Sequence, residues 1–141
     1  MRLLEITTHS TKETQKIARL LSREILRSEI ERKGALVIAL EGDLGGGKTT
    51  FAQGFAKGLG IREKILSPTF VILKRFMLHV SCFKNFVHMD AYRVESTREL
   101  RVLGWQDILK DREAIVLVEW ADRIKKALPK EYIRIDRKSV V

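Results

Sequence analysis

The stretch "LEGDLGGGKTTF", residues 40–51, directly follows the apolar run "ALVIAL" at 35–40. It holds four glycines, one lysine and two threonines in twelve positions. Glycine loses more conformational freedom on folding than any other residue, so a turn this rich in glycine is expected to have a use. Residues 42–49 match G-x-x-x-x-G-K-[ST] at every fixed position. The pattern predicts a phosphate-binding loop between a buried strand and a helix.

Each residue type in this loop has a physical reason to be there. Glycines let successive backbone N–H groups turn inward around an anion, and the helix that begins near Lys48 points its positive end at the same place. Lys48 is expected to neutralise the β- and γ-phosphates of a nucleotide, and the Thr49 hydroxyl to occupy one position on a magnesium ion. The sequence contains no Asn-Lys-x-Asp element, which guanine-specific proteins generally carry. ATP is therefore the expected nucleotide.

A magnesium ion at such a loop also needs a carboxylate, generally at the end of a neighbouring apolar strand. Two residues qualify: Asp90, which closes "FVHMD" at 86–90, and Glu119, which closes "AIVLVE" at 114–119. We rank Glu119 first as the metal ligand because its strand is the more completely apolar, and such strands are typically buried on both faces of a parallel sheet.

Hydrophobic periodicity predicts the elements around the loop. "RLLEITTHS" at 2–10 is interpreted as a short strand, and apolar residues at helical spacing predict a helix over about 11–30, with Ser10 and Glu13 at the spacing of a capping box. A second apolar stripe predicts a helix over about 51–59, capped at Gly60. The elements expected further along are an antiparallel hairpin (70–78 and 86–92, with its turn near 81–85), one helix capped by a serine (96–109), a central strand (114–118), a short helix (121–129) and an edge strand (131–136).

Length and composition favour a single domain over 1–141, since the chain has 141 residues of which 45% are hydrophobic. No apolar stretch approaches the ~18 residues of a membrane span, and the first residues lack the apolar stretch of a signal peptide, so we expect a cytoplasmic protein with no membrane partner. Cys82 is the sole cysteine and is interpreted as a structural thiol; with three histidines, a zinc site of the usual spacing is not expected.

The formal net charge is +9, from 27 Lys and Arg against 18 Asp and Glu. Such a surplus favours phosphate-rich partners, although a merely solvated surface is an equal alternative. From Trp120 onward there are three acidic residues against seven basic ones: Arg123, Lys125, Lys126, Lys130, Arg134, Arg137 and Lys138. The surplus is concentrated near the C-terminus.

The motifs "GDLGGGKTTF", "SPTF", "HMDAYR", Leu103-Gly104 and "VEW", in this order, resemble the TsaE family of small bacterial P-loop ATPases of tRNA threonylcarbamoyladenosine synthesis. The resemblance runs from about residue 10 to 136. It implies a three-layer α/β P-loop NTPase fold with a mixed, mainly parallel sheet. It also implies ATP binding and hydrolysis with Mg²⁺, in support of the partner proteins TsaD and TsaB, which modify adenosine 37 of tRNA.

The resemblance assigns roles residue by residue. It implies that Thr49 and Glu119 hold magnesium, that Thr69 of "SPTF" is a switch threonine near the γ-phosphate, and that Asp90 orders water or metal. The catalytic set is then Lys48, Thr69, Asp90 and Glu119. The nucleotide-binding set is Thr11, Leu44, Gly45, Gly46, Gly47, Lys48, Thr49, Thr50 and Trp120. Thr11 is included, with Ser10 beside it, because the family's N-terminal segment approaches the adenine; Tyr92 and Arg93 are expected to shape the nearby surface. Gly46 stands where the family usually has alanine, and the loop needs only a small side chain there.

Two other functions are compatible with the sequence. One is a small P-loop kinase, for which the cluster "DRIKKALPK" at 122–130 would have to serve as an arginine-rich lid. The other is a nucleotide-dependent binding module that holds tRNA through its positive charge, because no residue identifies itself as the base for the attacking water.

Overall fold

The computed structural model describes residues 6–28, 31–42, 48–65, 73–80 and 82–137, and of Lys48 and Arg137 the backbone alone. Helices and strands are interspersed along these residues, as is typical of a sheet covered by helices on both faces. The helices are α1 (Thr11–Arg27), α2 (Lys48–Gly58), α3 (Thr97–Val102), α4 (Trp105–Lys110) and a 3₁₀ helix (Ala121–Ala127). The strands are β1 (Leu36–Gly42), β2 (Leu73–Met77), β3 (Asn85–Asp90), β4 (Ala114–Glu119) and β5 (Ile133–Arg137).

The strands described form a single sheet in the order β2-β3-β4-β1-β5. β4 pairs in parallel with both β1 and β3, β5 pairs in parallel with β1, and β2 is antiparallel to β3. The sheet is therefore mixed and mainly parallel. β4 is central, the hairpin of β2 and β3 forms, and β5 lies at an edge, as the sequence predicted.

Alternate residues of the central strands face two separate cores. Ile38, Leu40, Ile115 and Leu117 pack beneath α1 and α2, while their neighbours in the strands pack beneath α3, α4 and the 3₁₀ helix. Because both faces are covered, the central strands are apolar without alternation. The result is the three-layer α/β architecture that the sequence predicted.

The helices α1 and α2 lie side by side and run in the same direction. Gly54 of α2 lies against Gln15 of α1, and Gly58, one turn later, lies against Arg19 and Ser22. Since position along both helices increases together, their N-termini are at the same end of the molecule. Small buried residues on α1, such as Ala18, allow the two backbones to approach closely.

The helix predicted over 11–30 ends earlier, at Arg27. Ser28 is extended, and its backbone N–H and its hydroxyl both donate to the carbonyl of Glu24, which satisfies the end of the helix. The predicted start is confirmed, because the hydroxyl of Ser10 accepts from the N–H of Glu13 at 3.1 Å. The Glu13 carboxylate reaches one residue beyond the cap, to the N–H of His9. Of the strand predicted at 2–10, residues 2–5 lie outside the described residues and 6–9 have no strand structure.

The single helix predicted over 96–109 was wrong. The chain breaks at Gly104, whose φ of +77° lies in the left-handed region, and separates α3 from α4. This turn directs Trp105 into the core, where the side chain is 1% exposed and its Nε1–H donates to the carbonyl of Ala127 at 2.9 Å. Ser96 is the N-cap residue of α3, as predicted, but its side chain makes no capping hydrogen bond.

The cap predicted at Gly60 is confirmed. Gly60 has φ +85°, its N–H donates to the carbonyl of Lys57, and the N–H of Ile61 donates to the carbonyl of Ala56. These two bonds define a Schellman motif. The short helix predicted at 121–129 is the 3₁₀ helix, which is interrupted by a non-helical conformation at Ile124.

Candidate functional site

The carboxyl ends of three parallel strands meet at one edge of the sheet. Glu119 at the end of β4 is in register with Leu40 of β1 on one side and Asp90 of β3 on the other. In open α/β sheets, ligands bind outside this edge. The predicted phosphate loop leaves β1 here, and α2 begins at Lys48. The two candidate carboxylates and the loop therefore converge on one region.

The loop itself is described only at its borders. Gly42, the last residue of β1, has φ +126°, a conformation that favours glycine. Lys48, Thr49 and Thr50 form the first turn of α2. The other predicted phosphate-binding residues lie outside the described residues: Leu44, Gly45, Gly46 and Gly47.

Thr49 and Glu119 are in direct contact. The Thr49 hydroxyl donates a hydrogen bond to Oε1 of Glu119 at 3.1 Å, although the two residues are 70 positions apart. Glu119 is 2% exposed despite its charge. A threonine hydroxyl has one hydrogen and two lone pairs, so donating to Glu119 leaves both lone pairs of Thr49 available to a cation. The structure thus brings together the two residues that the sequence predicted as metal ligands.

The second oxygen of Glu119 is also held. Nε2 of His88 lies 2.5 Å from Oε2 of Glu119, and His88 is itself 2% exposed. Sequence reasoning gave His88 no role of its own, although it is the first residue of the motif "HMDAYR" that carries the family resemblance. The signal that could have found it is the alternation in "FVHMD", which places His88 on the same sheet face as Asp90.

Asp90 lies at the same edge but has a different environment. It is half-buried, and its Oδ1 accepts a hydrogen bond from the backbone N–H of Tyr92 at 2.9 Å, which stabilises the turn after β3. Thr69 lies outside the described residues. Leu73, the first residue described after it, pairs with Met89, so β2 begins at the edge of the sheet where Asp90 lies. The catalytic roles of Asp90 and Thr69 stay predictions.

Trp120 follows Glu119 in a strained conformation. Its φ of 58° and ψ of 41° are left-handed, which is uncommon for a bulky residue and places it in the sharp turn out of β4. Its ring lies 4.9 Å from that of Tyr92, centroid to centroid, and the guanidinium of Arg123 lies 5.0 Å from the centre of the Tyr92 ring. These side chains form a half-exposed aromatic and basic surface beside the candidate site.

The N-terminus of α1 lies at the site end of the molecule, because α1 runs parallel to α2. Thr11, predicted to approach the adenine, is the exposed first residue of this helix. Ser10 uses its hydroxyl for the helix cap. Thr11 therefore lies at the end of the molecule that carries the candidate site, and its contact with adenine stays a prediction.

The donor set at this edge fits a magnesium ion. Mg²⁺ prefers oxygen ligands and usually binds through one or two carboxylates together with substrate phosphates and water. Glu119 and Thr49 supply oxygen, and within the ranges that the structure describes no three His, Cys, Asp or Glu residues form a group that could hold a metal by themselves. Phosphate and water oxygens are the ligands that would complete the coordination of an ion held by Thr49 and Glu119.

The basic residues near the C-terminus fall into two groups. The side chains of Arg123, Lys125, Lys126 and Lys130 are exposed. Arg134 is also exposed, but it is paired: its Nε donates to buried Glu41 at 2.7 Å, and this hydrogen bond raises the pKa of Arg134. The other oxygen of Glu41 has no hydrogen-bond partner among the described residues. Arg134 therefore fixes β5 to the end of β1, while Lys138 lies outside the described residues.

Comparison with known proteins identifies the family. The family model described as threonylcarbamoyl adenosine biosynthesis protein TsaE matches residues 8–140. This chain belongs to the TsaE family. It is 40% identical over 135 residues to the tRNA threonylcarbamoyladenosine biosynthesis protein TsaE of Bacillus subtilis, covering 96% of this chain and 77% of the relative. It is 32% identical over 133 residues to TsaE of Rickettsia typhi, covering 94% and 84% of the two chains.

A solved structure supports the same assignment. The crystal structure of YdiB from Bacillus subtilis superposes with a TM-score of 0.70 and 34% identity, covering 95% of this chain and 75% of that one. The resemblance to TsaE and the predicted fold class are therefore confirmed, and the P-loop of a TsaE protein implies nucleotide binding. Among the helices described, none is long and apolar enough to cross a membrane.

Proposed function

We propose that this TsaE protein binds ATP with Mg²⁺, hydrolyses it slowly, and thereby supports the threonylcarbamoylation of adenosine 37 in tRNA, in the cytoplasm and together with TsaD and TsaB. The observation that carries the proposal is the contact between Thr49, in the first turn of α2, and Glu119, at the end of β4. A buried carboxylate and a hydroxyl in the first turn of the loop's helix are the groups that P-loop NTPases use to hold the ion.

The proposal gives each site residue a role. The loop at 44–47 and Lys48 hold the phosphates, and Lys48 stabilises charge that develops as the terminal phosphate leaves. Thr49 and Glu119 hold the ion, while Thr69 and Asp90 orient groups around the γ-phosphate. When bound, Mg²⁺ would neutralise charge on the β- and γ-phosphate oxygens. Thr11 and Trp120 contribute contacts to the nucleotide.

Phosphate release from ATP tests the reaction. We expect slow release of inorganic phosphate that stops in EDTA and in Lys48→Ala. The matched control is Lys57→Ala, which removes an exposed lysine from the last turn of the same helix. Wild-type turnover in Lys48→Ala would remove the P-loop from the mechanism. A small P-loop kinase would instead transfer phosphate to an added acceptor, which thin-layer separation of labelled products would reveal.

Assembly tests the biological role. We expect this protein to co-purify with TsaB and TsaD in a manner that depends on the nucleotide present, and threonylcarbamoylation by those partners to continue over repeated cycles when it is added. The exposed lysines near the C-terminus favour an additional contact with tRNA. Binding of tRNA by the isolated protein with nucleotide, but without either partner, would favour the binding-module alternative.

A further inference from the structure

His88 and Glu119 are joined across two neighbouring strands. In the parallel register His88 lies opposite Leu117, and Glu119 lies opposite Asp90, so His88 and Glu119 are diagonal neighbours on the sheet face beneath α1 and α2. Nε2 of His88 is 2.5 Å from Oε2 of Glu119, and both residues are 2% exposed. With Thr49 on Oε1, each oxygen of the carboxylate has its own partner.

The direction of the hydrogen bond follows from the charge that Glu119 needs in order to bind Mg²⁺. An ionised carboxylate can only accept, so in that state Nε2 of His88 carries the hydrogen and donates it to Glu119. A buried carboxylate oxygen without a donor is costly, because burial removes its water and nothing replaces the hydrogen bonds that the water made. The terminal torsion of a glutamate has a broad, weakly defined preference, so a donor on one oxygen also determines where the other oxygen points.

We propose that His88 is a positioning residue that orients the Glu119 carboxylate, so that Oε1 faces the Thr49 hydroxyl and the two side chains form a ready magnesium site. The inference rests on the proposed Mg²⁺-dependent nucleotide binding. His88 contacts neither nucleotide nor metal in this scheme. Outer partners of this kind orient metal ligands in many sites, and their substitution typically lowers metal affinity by about 10–100-fold.

A purely structural role makes a different prediction. If the pair were merely a satisfied buried contact in the core, substituting His88 would lower the melting temperature and leave the magnesium requirement unchanged. The quantity that separates the two roles is the Mg²⁺ midpoint, defined as the Mg²⁺ concentration that gives half of the gain in nucleotide affinity. A positioning role changes this midpoint, whereas a purely structural role changes the melting temperature alone; nucleotide affinity in EDTA serves as the reference.

The experiment compares three variants by calorimetric titration of a non-hydrolysable ATP analogue across a Mg²⁺ series. His88→Leu removes the donor, whereas His88→Gln retains an amide N–H at about the distance of Nε2. His79→Leu is the control, because His79 is exposed and follows β2 at the opposite edge of the sheet. We expect His88→Leu to raise the Mg²⁺ midpoint about 10–100-fold with little change of affinity in EDTA. His88→Gln should recover most of the loss, and His79→Leu should match the wild type.

The inference is overturned if folded His88→Leu keeps the wild-type Mg²⁺ midpoint, or if His88→Gln loses as much as His88→Leu. If His88→Leu does not fold, the comparison is made between His88→Gln and His88→Asn, whose shorter side chain carries the same amide but cannot reach Glu119; equal midpoints would then refute positioning. A wild-type protein whose nucleotide affinity ignores Mg²⁺ would refute the proposed function itself and this inference with it.

Discussion

The close contact between α1 and α2 makes a stability prediction that opposes simple helix propensity. Alanine is a better helix former than glycine by about 1 kcal/mol, so Gly54→Ala would stabilise an isolated helix. In the protein, a Cβ on Gly54 would clash with the carbonyl oxygen of Gln15 and would lie 2.6 Å from the Cα of Gln15. Non-bonded carbons normally pack at about 3.5–4.0 Å, so the helices would have to separate by roughly 1 Å.

Backbone atoms of α1 cannot rotate out of the way as a side chain could. Overpacking costs about 1–3 kcal/mol, and we expect the upper part of that range here, because the whole helix must move. After the gain in propensity, the free energy of unfolding should fall by about 2 kcal/mol. For a domain of this size that corresponds to a decrease of roughly 8 °C in melting temperature.

Urea unfolding followed by circular dichroism measures the effect, and a double variant sharpens it. In Gly58→Ala the new Cβ would lie 2.5 Å from the carbonyl oxygen of Arg19 in the same interface. Because one separation of the helices relieves both contacts, the double variant Gly54→Ala/Gly58→Ala should be destabilised by less than the sum of the two single variants. Gly60→Ala is the control, since its Cβ meets nothing within 4 Å and its cost comes from φ +85° alone. We expect that cost to add to that of Gly54→Ala. A Gly54→Ala variant as stable as the wild type would refute the reasoning.

Three further predictions concern the site and its surroundings. Glu119→Ala should raise the Mg²⁺ midpoint for nucleotide binding at least tenfold more than Asp90→Ala does, and the reverse order would make Asp90 the ligand. Arg134→Met should lower the urea midpoint by leaving the buried Glu41 carboxylate without its donor, and an unchanged midpoint would show that the pair contributes nothing to stability. Charge reversal to glutamate at the exposed Lys125, Lys126 and Lys130 should weaken assembly with TsaB, TsaD and tRNA, most strongly at low salt. The slope of log affinity against log salt concentration should fall by about 0.9 for each duplex phosphate that is no longer neutralised, or by about 0.7 on single strands. An unchanged affinity and slope would assign that charge to solubility.

The parts of the fold that were predictable are those fixed by short stretches of chain. Within 35–60, β1 ends at Gly42 and α2 begins at Lys48, on either side of the predicted loop, and the cap at Gly60 closes on residues four and three positions before it. The central position of β4 was predictable because a continuous apolar run has to be buried on both faces. Each of these features depends on residues close together in the sequence, so hydrophobic periodicity and local motifs are enough to predict it.

The features that were missed depend on packing between distant segments. The helical pattern at 96–109 continues through Gly104, and after the break there Trp105 donates its Nε1–H to the carbonyl of Ala127, 22 positions later. The contact of His88 with Glu119 depends on the register of β3 against β4, which no single stretch of sequence specifies. Similarly, the pairing of Arg134 with Glu41 removes one residue from a basic surface that the sequence alone treated as uniform.

The strand order itself explains why the two candidate carboxylates differ. β4 lies between β1 and β3, so a side chain at its carboxyl end is reached from both sides, by Thr49 at the start of the helix that follows β1 and by His88 from β3. Asp90 ends β3, whose other neighbour β2 is antiparallel and presents its amino end at this edge. An acid at the end of β3 therefore meets one parallel neighbour instead of two. The central position predicted from the apolarity of "AIVLV" thus leads, through topology, to the more deeply buried of the two carboxylates, which is why we propose Glu119 and not Asp90 as the metal ligand.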